Sequence, residues 1–286
     1  MKSKLLMIQG TSSGAGKSLI VTALCRILSN KGYKVAPFKS QNMSSFIFKL
    51  DNSGKIIAQA QAIQALGAKT QPDVRMNPIL LKPIGNYESE VYLFGEFYSK
   101  MTAREYYANF VLEKGFKMAL NAFKSLKKEN EIILLEGAGS PAEINIMKHD
   151  IANMLLAKKV KAPVILVADI ERGGCFASIL GTLLLLKPKY RHLIKGVLIN
   201  KFRGDKQILI PAIRRIESET KKPILGIVPK INHHVPEEDT LDGQRKKGNN
   251  VNISKNSEAI SIEIDKISKV IESSINIEYI LRDILK

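Results

Sequence analysis

The sequence predicts an α/β fold, doubly wound about a mostly parallel sheet. Short apolar runs recur along the chain, amphipathic helical patterns lie between several of them, and a glycine-rich loop joins the first run to the first helix. Continuous rather than alternating apolar runs suit strands buried on both faces of a parallel sheet. Strands interleaved with helices make a doubly wound sheet the expected arrangement.

The runs, in order, are KLLMIQ (4–9), KVAPF (34–38), EIILLE (131–136), PVILVAD (163–169), KGVLIN (195–200) and PILGIV (223–228). Ile20, Leu24, Ile27 and Leu28 fall at helical spacing behind the first run, and Gly32 is placed to end that helix. Phe116, Leu120 and Phe123 mark a second helix that closes in KSLKKEN. Residues 208–222, ILIPAIRRIESETKK, read as a third, begun or interrupted near Pro211. Residues 40–110 break the rhythm with QNMSSF, AQAQAIQALGA and MNPILLKP. Such a long insertion between strands builds a site rather than a core. Residues 240–258, rich in Gly, Asn, Lys and Ser, read as a flexible linker or loop, and two short helical patterns finish the chain.

Composition bounds the partners. The 286 residues are 45% hydrophobic with no Trp and 6% aromatics, which predicts an aliphatic core. Lys and Arg number 44 against 27 acidic residues, a formal charge of +17. The lysines come as scattered pairs, such as Lys127-Lys128 and Lys221-Lys222, without interleaved aromatics. That pattern reads as a solvated lysine-rich surface, then as a surface for anionic small molecules, and no nucleic-acid partner is expected. No run of about 20 apolar residues is available to span a membrane. MKSKLLMIQG lacks a long apolar core and a small-residue cleavage site, so the expected location is cytoplasmic. Cys25 and Cys175 have no Cys or His at metal-ligand spacing; they read as buried thiols, with Cys175, after a Gly-Gly pair, nearer a site.

The chemistry concentrates in QGTSSGAGKSLI, residues 9–20. The loop follows a strand and leads into a helix, the context a phosphate loop requires. Backbone N–H groups around Gly14 and Gly16 can wrap a β-phosphate, Lys17 can neutralise β and γ oxygens, and Ser18 can coordinate Mg²⁺. Five residues separate Gly10 from Gly16, one more than in the common pattern. The bland alternative is a Gly/Ser turn with a chance Lys-Ser. EIILLEGAG supplies the second half of such a site: Glu136 ends an apolar run, with Gly137 and Gly139 allowing close backbone approach. The alternative there is a Glu that merely caps a strand.

Together GTSSGAGKS and LLEGAG resemble the dethiobiotin-synthetase-like amide ligases, P-loop NTPase-type proteins whose loop has this longer spacing. Within that group the chain resembles the cobyric acid synthase family. FKSQNMS, AQAQAIQA, MNPILLKP, EGAGSPAEIN, DIANM, VILVADIERGGCFASILGT, INKFRGD and VPEEDTLDG occur in that family's order, across about residues 4–242.

The resemblance implies ATP-dependent amidation of peripheral carboxylates of adenosylcobyrinic acid a,c-diamide, through an acyl phosphate, to give adenosylcobyric acid in cobalamin biosynthesis. ATP and Mg²⁺ are the implied cofactors. It implies that Thr11, Ser12, Ser13, Gly14, Ala15, Gly16, Lys17 and Ser18 cradle the phosphates, that Lys39 stabilises the transferred phosphoryl, and that Ser18 and Glu136 hold the metal. Asn200 would read adenine, with Pro229 lining the base pocket. Gln41, Asn42, Ser44, Ser140, Glu143 and Asn145 would face the corrinoid. Asp150, expected among the catalytic residues with Lys17, Lys39 and Glu136, would like Asp169 and Arg172 position substrate or act as a switch. A helix N-cap is the bland alternative for Asp150, and a structural ion pair for Arg172.

Departures from the family pattern are as specific as the match. Phe46 and Ile47 stand where the family has Asn and Ser, and Ile56 and Gln59 where it has an acidic residue and Arg. Asp51 substitutes for the acidic group only if its loop shifts. The expected organisation is a synthetase domain over residues 1–239, a linker over 240–258 and C-terminal helices over 259–286 packing on the same domain. The family's glutaminase domain has no counterpart in the sequence, so ammonia is expected from solution or from a separate glutaminase subunit; a homodimer is the other expected partner. A ligase of the same type with another carboxylate substrate, and a non-catalytic or regulatory ATP-binding protein, are the alternatives.

Overall fold

The computed structural model describes residues 3–50, 53–236, 253 and 255–285. Asp51 and most of the linker expected at 240–258 lie outside the described residues, and the last two positions of that expected linker belong to the helix Ser257–Ser274. The strands, in chain order, are β1 (Lys4–Gly10), β2 (Val35–Phe38), β3 (Gln41–Met43), β4 (Ile47–Leu50), β5 (Lys55–Ala58), β6 (Ile79–Gly85), β7 (Glu88–Leu93), β8 (Glu96–Thr102), β9 (Ile132–Glu136), β10 (Val164–Asp169), β11 (Ile194–Phe202) and β12 (Ile224–Pro229).

Six of them form the central sheet in the order β12-β11-β10-β1-β9-β2, and all its pairings are parallel. Each of the six apolar runs is one of these strands. Leu6 and Ile8 of β1 face one core, Leu5 and Met7 the other. On the first face lie helix α1 (Lys17–Asn30) and the C-terminal helix Ser257–Ser274; on the second lie the helices Phe116–Glu129, Met154–Val160, Cys175–Leu185 and Ile210–Thr220. The sheet is therefore doubly wound. The chain leaves β1 toward β2 on one side, then returns through β9 to β10 on the other, so strand order reverses beside β1. A crevice opens at the carboxyl ends of strands where order reverses.

Local signals explain the helix ends. Gly32 has φ 88°, Lys31 N–H bonds to Ile27, Gly32 N–H to Ser29 and Tyr33 N–H to Leu28, closing α1 with a glycine in the left-handed region. Pro211 lies in the first turn of the helix Ile210–Thr220, so that helix begins at the proline rather than being broken by it. On the Ser257–Ser274 helix, Ile260, Ile264, Ile267 and Ile271 are buried against the α1 side of the core. Arg26 of α1 anchors this layer, donating to Leu66 and Gly67 carbonyls, Ser261 and Asp265.

The insertion at 40–110 is more regular than the sequence reading expects. It holds a sheet in the order β3-β6-β7-β8, a β4-β5 hairpin and helix α2 (Gln59–Gly67). Asn86-Tyr87 and Phe94-Gly95 form two-residue turns with φ of 49° and 60°, and 49° and 83°. Paired positive φ values fit the right-handed twist of a tight hairpin, and they pin the meander β6-β7-β8. Tyr and Phe at positive φ are uncommon, which is why these turns were not legible. Among the described residues, no helix is long and apolar enough to cross a membrane.

Candidate active site

The phosphate loop leaves β1 at Gly10 and enters α1 through Gly16, whose φ is 93°. A Cβ on Gly16 would lie 2.1 Å from the Asn200 amide nitrogen, so both the left-handed backbone and the close approach require glycine. Asn200, at the carboxyl end of the central sheet, donates to the Ala15 carbonyl at 2.9 Å. Lys17 Nζ donates to the carbonyls of Ser12, at 3.0 Å, and Gly139, at 3.1 Å, curling back over its own loop. Thr11 Oγ1 accepts from Ser178 at 3.3 Å. Ser12, Ser13 and Gly14 are exposed at the mouth of the loop.

Glu136 is the point on which the site converges. It ends β9, in register with Ile8 of β1, and is fully buried. Its Oε1 accepts from Lys39 Nζ at 2.7 Å and from Ser18 Oγ at 2.9 Å; its Oε2 accepts from the Gln64 amide. Burial alone pushes this carboxyl up, but the charge and hydrogen bond of Lys39, the Gln64 amide and the Lys17 charge together hold it below the ordinary range. Lys39 follows β2, which pairs with β9, so adjacent strand ends deliver the two charges to one place. The site's neighbour Cys25 is raised far above an ordinary thiol by burial and by the Glu136 charge. Cys175 is raised to about 12, mainly by burial.

Helix α2 contributes a feature the sequence reading passed over. Gln59, Gln61 and Gln64 are buried among alanines, and Gln61 and Gln64 are fully enclosed. Asn42 donates to Gln61 at 2.9 Å and Gln61 to Gln64 at 3.4 Å. Buried amides need partners, so three glutamines in an otherwise small, apolar helix were the available signal. Asn77 was also missed; it donates to the Lys39 and Ile79 carbonyls and accepts from Ala58 N–H, tying the exit of β2 to the start of α2.

Beside the loop lies a cavity of about 350 Å³, lined by Lys17, Ser18, Asn200, Pro229, Ile231 and His233 among others. Lys201, at φ 61°, bonds the Gly14 carbonyl at 2.7 Å and Asp169 at 2.8 Å across its rim. Asp169 is thus spent on Lys201 and on Glu171 N–H. Glu171 is held below the usual carboxylate range by its Lys230 hydrogen bond and the charges of Lys230, Arg203 and Lys201. The structure therefore brings Asn200 and Pro229 to one pocket with the loop.

The other expected residues spread out. Gln41 accepts from Tyr106 at 2.8 Å. Ser44 is engaged with the Phe46 backbone, and the Ser140 hydroxyl accepts from Ala142 N–H. Glu143, Asn145 and Arg172 are exposed. Asp150 does not cap the helix that follows: that helix starts at Met154 behind Asn153. Its carboxylate instead accepts from the N–H groups of Ala152 and Asn153 and from the Asn153 amide, closing the preceding turn. Burial pushes Asp150 up to about 6 against those bonds, with Glu143 adding to the rise. Ile47 and Ile56, two positions read from the sequence as departures, pack in one small cluster with Ala58, Leu80 and Tyr92. Next to β3, a second, largely apolar cavity of about 280 Å³ is lined by Met43, Leu81, Val91, Met101, Tyr106 and Tyr107 among others.

A doubly wound parallel sheet with this loop at its switch point defines a nucleotide-binding protein of the P-loop NTPase type. The chain belongs to the family described as CobQ/CobB/MinD/ParA nucleotide binding domain, which matches residues 6–239. It is 51% identical over 238 residues to a probable cobyric acid synthase of Thermococcus kodakarensis, covering 83% of this chain and 49% of that one. It is 49% identical over 249 residues to the cobyric acid synthase of Dehalococcoides mccartyi strain ATCC BAA-2100, covering 86% and 48%. The chain thus spans about half the length of the curated relatives it matches. A solved signal recognition particle receptor FtsY from Elizabethkingia anophelis is a distant likeness, with TM-score 0.49 and 14% identity over 81% of this chain and 60% of that one.

Proposed function

We propose that this chain performs the ATP-dependent amidation step of a cobyric acid synthase, converting peripheral carboxylates of adenosylcobyrinic acid a,c-diamide to carboxamides on the way to adenosylcobyric acid in cobalamin biosynthesis. The observation that carries the reading is the convergence of Ser18, Lys39 and Gln64 on the buried Glu136 at the head of a phosphate loop. Its sequence likeness to enzymes of that name supports the choice of substrate.

A carboxylate is a poor electrophile, and an acyl phosphate is a good one. Making it needs phosphate clamps and charge neutralisation rather than a protein nucleophile. In this reading the substrate carboxylate oxygen attacks the γ-phosphorus and ADP departs. Ammonia then attacks the acyl carbon, and phosphate leaves with one former carboxylate oxygen. Residues Thr11 to Ser18 hold the phosphates, Lys17 and Lys39 offset their charge, and Asn200 and Pro229 border the base. The donor set fits Mg²⁺, since Ser18 Oγ and Glu136 Oε1 are oxygens 2.9 Å apart and Mg²⁺ takes oxygen ligands while keeping several waters. When bound there, Mg²⁺ supplies charge neutralisation at the β and γ phosphates. Gln41, Asn42, Ser44, Ser140, Glu143, Asn145, Asp150, Asp169 and Arg172 remain the substrate-side proposals, with the apolar cavity beside Tyr106 and Tyr107 as a seat for the macrocycle edge. Residues 1–239 form the synthetase unit in this reading, with the C-terminal helices packed on it. We further propose a cytoplasmic reaction fed by free ammonium or a separate glutaminase, with a homodimer as the other assembly to test.

Incubation of the 286-residue chain with ATP, Mg²⁺, ammonium and the a,c-diamide tests the reading by mass spectrometry. Products should differ from substrate by OH-to-NH₂ exchanges, and Lys17→Ala should abolish them with the fold retained. ATP turnover with the corrinoid mass unchanged would refute it.

A further inference from the structure

Four buried side chains form a line from the centre of the site to the insertion. Glu136 accepts from Gln64, Gln64 accepts from Gln61, and Gln61 accepts from Asn42. The last two bonds measure 3.4 and 2.9 Å. The line has a direction. An ionised carboxylate only accepts, so Gln64 must turn its nitrogen inward and its carbonyl outward. Gln61 must then turn its nitrogen to that carbonyl, and Asn42 its nitrogen to Gln61. Flipping any one amide would set N–H against N–H or oxygen against oxygen in a buried space, a costly arrangement.

At the far end the direction leaves Asn42 with its carbonyl oxygen outward. No described residue donates to that oxygen. Asn42 is 6% exposed, and its carbonyl oxygen is not one of the described side-chain atoms that are both fully enclosed and without a partner, so the narrow opening at this residue reaches that oxygen. Its neighbour Gln41 is already occupied by Tyr106 and Tyr107. Asn42 is therefore the residue of this pair that can present a fixed acceptor to an incoming group.

We propose that Asn42 is a specificity residue that accepts a hydrogen bond from an N–H group of a reactant, and that Gln61 and Gln64 are positioning residues locking its amide through Glu136. The inference rests on the amide-ligase reading above. A fixed carbonyl oxygen favours a nitrogen donor and disfavours a bare carboxylate in the same place. The donor is an N–H group either of free ammonia or of a carboxamide already on the corrinoid.

The lock is tested first without catalysis. In ¹⁵N-labelled protein, the Asn42 side-chain amide should exchange slowly in the wild type and at least tenfold faster in Gln61→Leu, which leaves Asn42 and Glu136 in place. Ammonium chloride and the a,c-diamide are then titrated separately, and one of them should shift the Asn42 resonance in the wild type. Steady-state kinetics give the second arm. Asn42→Leu should raise KM about tenfold for that same reactant while KM for ATP stays unchanged, and Gln61→Leu should raise it by a smaller factor. A rise for ammonium assigns the nucleophile as donor; a rise for the a,c-diamide assigns its carboxamide. Unchanged exchange in Gln61→Leu, or no response of Asn42 to either reactant, overturns the inference. Absence of amidated product from a wild type that still shows the Asn42 response would sink the proposed reaction while sparing the acceptor.

Discussion

Removing the cation beside Glu136 should expose how strongly the buried pair depends on both members. Lys39→Met keeps the length of the side chain and deletes its charge. Glu136 is fully buried and Lys39 is 4% exposed, with 2.7 Å between Nζ and Oε1. Breaking a buried pair from one side costs about 3–5 kcal/mol. Ser18 and Gln64 still donate to the carboxylate, so the low end, about 3 kcal/mol, is expected. The cost should depend on pH. In the wild type the Glu136 carboxyl is depressed, so its contribution is present above the unfolded value of about 4.3 and fades as pH falls through the lower folded value. In Lys39→Met burial prevails and the folded value rises, so the penalty is full near pH 7.5 and shrinks as acid neutralises the carboxyl. Urea unfolding without nucleotide or metal measures this, with a midpoint shift of about 1 M at pH 7.5. The double variant Lys39→Met/Glu136→Gln removes both charges and should recover at least about 2 kcal/mol. Equal destabilisation at pH 5 and pH 7.5, or no recovery in the double variant, would refute the reasoning.

Three further outcomes are expected. Gly16→Ala forces an L-residue to φ 93° with its Cβ 2.1 Å from the Asn200 amide, and calorimetric ATP affinity should fall at least about tenfold while folding survives. Asp150, raised by burial to about 6, contributes stability below its unfolded value that is lost as pH rises through about 6. The stability of the wild type relative to Asp150→Asn should accordingly fall by about 2–3 kcal/mol between pH 4 and pH 7.5 in urea titrations. Arg26→Ala loses four hydrogen bonds that join α1 to α2 and the C-terminal helix, and should cost about 3 kcal/mol by the same assay.

The legible parts of the sequence were those where one rule acts alone. Both faces of the central strands are covered, so they read as apolar runs, and the loop's glycines mark backbone that other residues cannot adopt. Gly32 announced a helix end for the same kind of local reason, whereas Pro211 left a start and an interruption both open until the fold placed it in a first turn. The insertion resisted because its strands are short and its turns place Tyr87 and Phe94 at positive φ, against residue preference. At the site, Glu136 stood out as a lone acid after apolar residues. Gln61 and Gln64 did not, because an amide's role depends on partners from distant segments: Asn42 and Glu136 are 19 and 72 residues away in sequence. Ile47 and Ile56 likewise read as two separate departures until the fold set them in one cluster.

The central claim is that this site activates a carboxylate with ATP, and the fate of the carboxylate oxygens tests it most directly. The a,c-diamide is labelled with ¹⁸O in its free carboxylates and incubated with the chain, ATP, Mg²⁺ and ammonium. One labelled oxygen should appear in inorganic phosphate for each amide formed, because the acyl phosphate hands that oxygen to the departing phosphate. Phosphate released without label while amide accumulates, or ATP turnover independent of the corrinoid, would contradict the account.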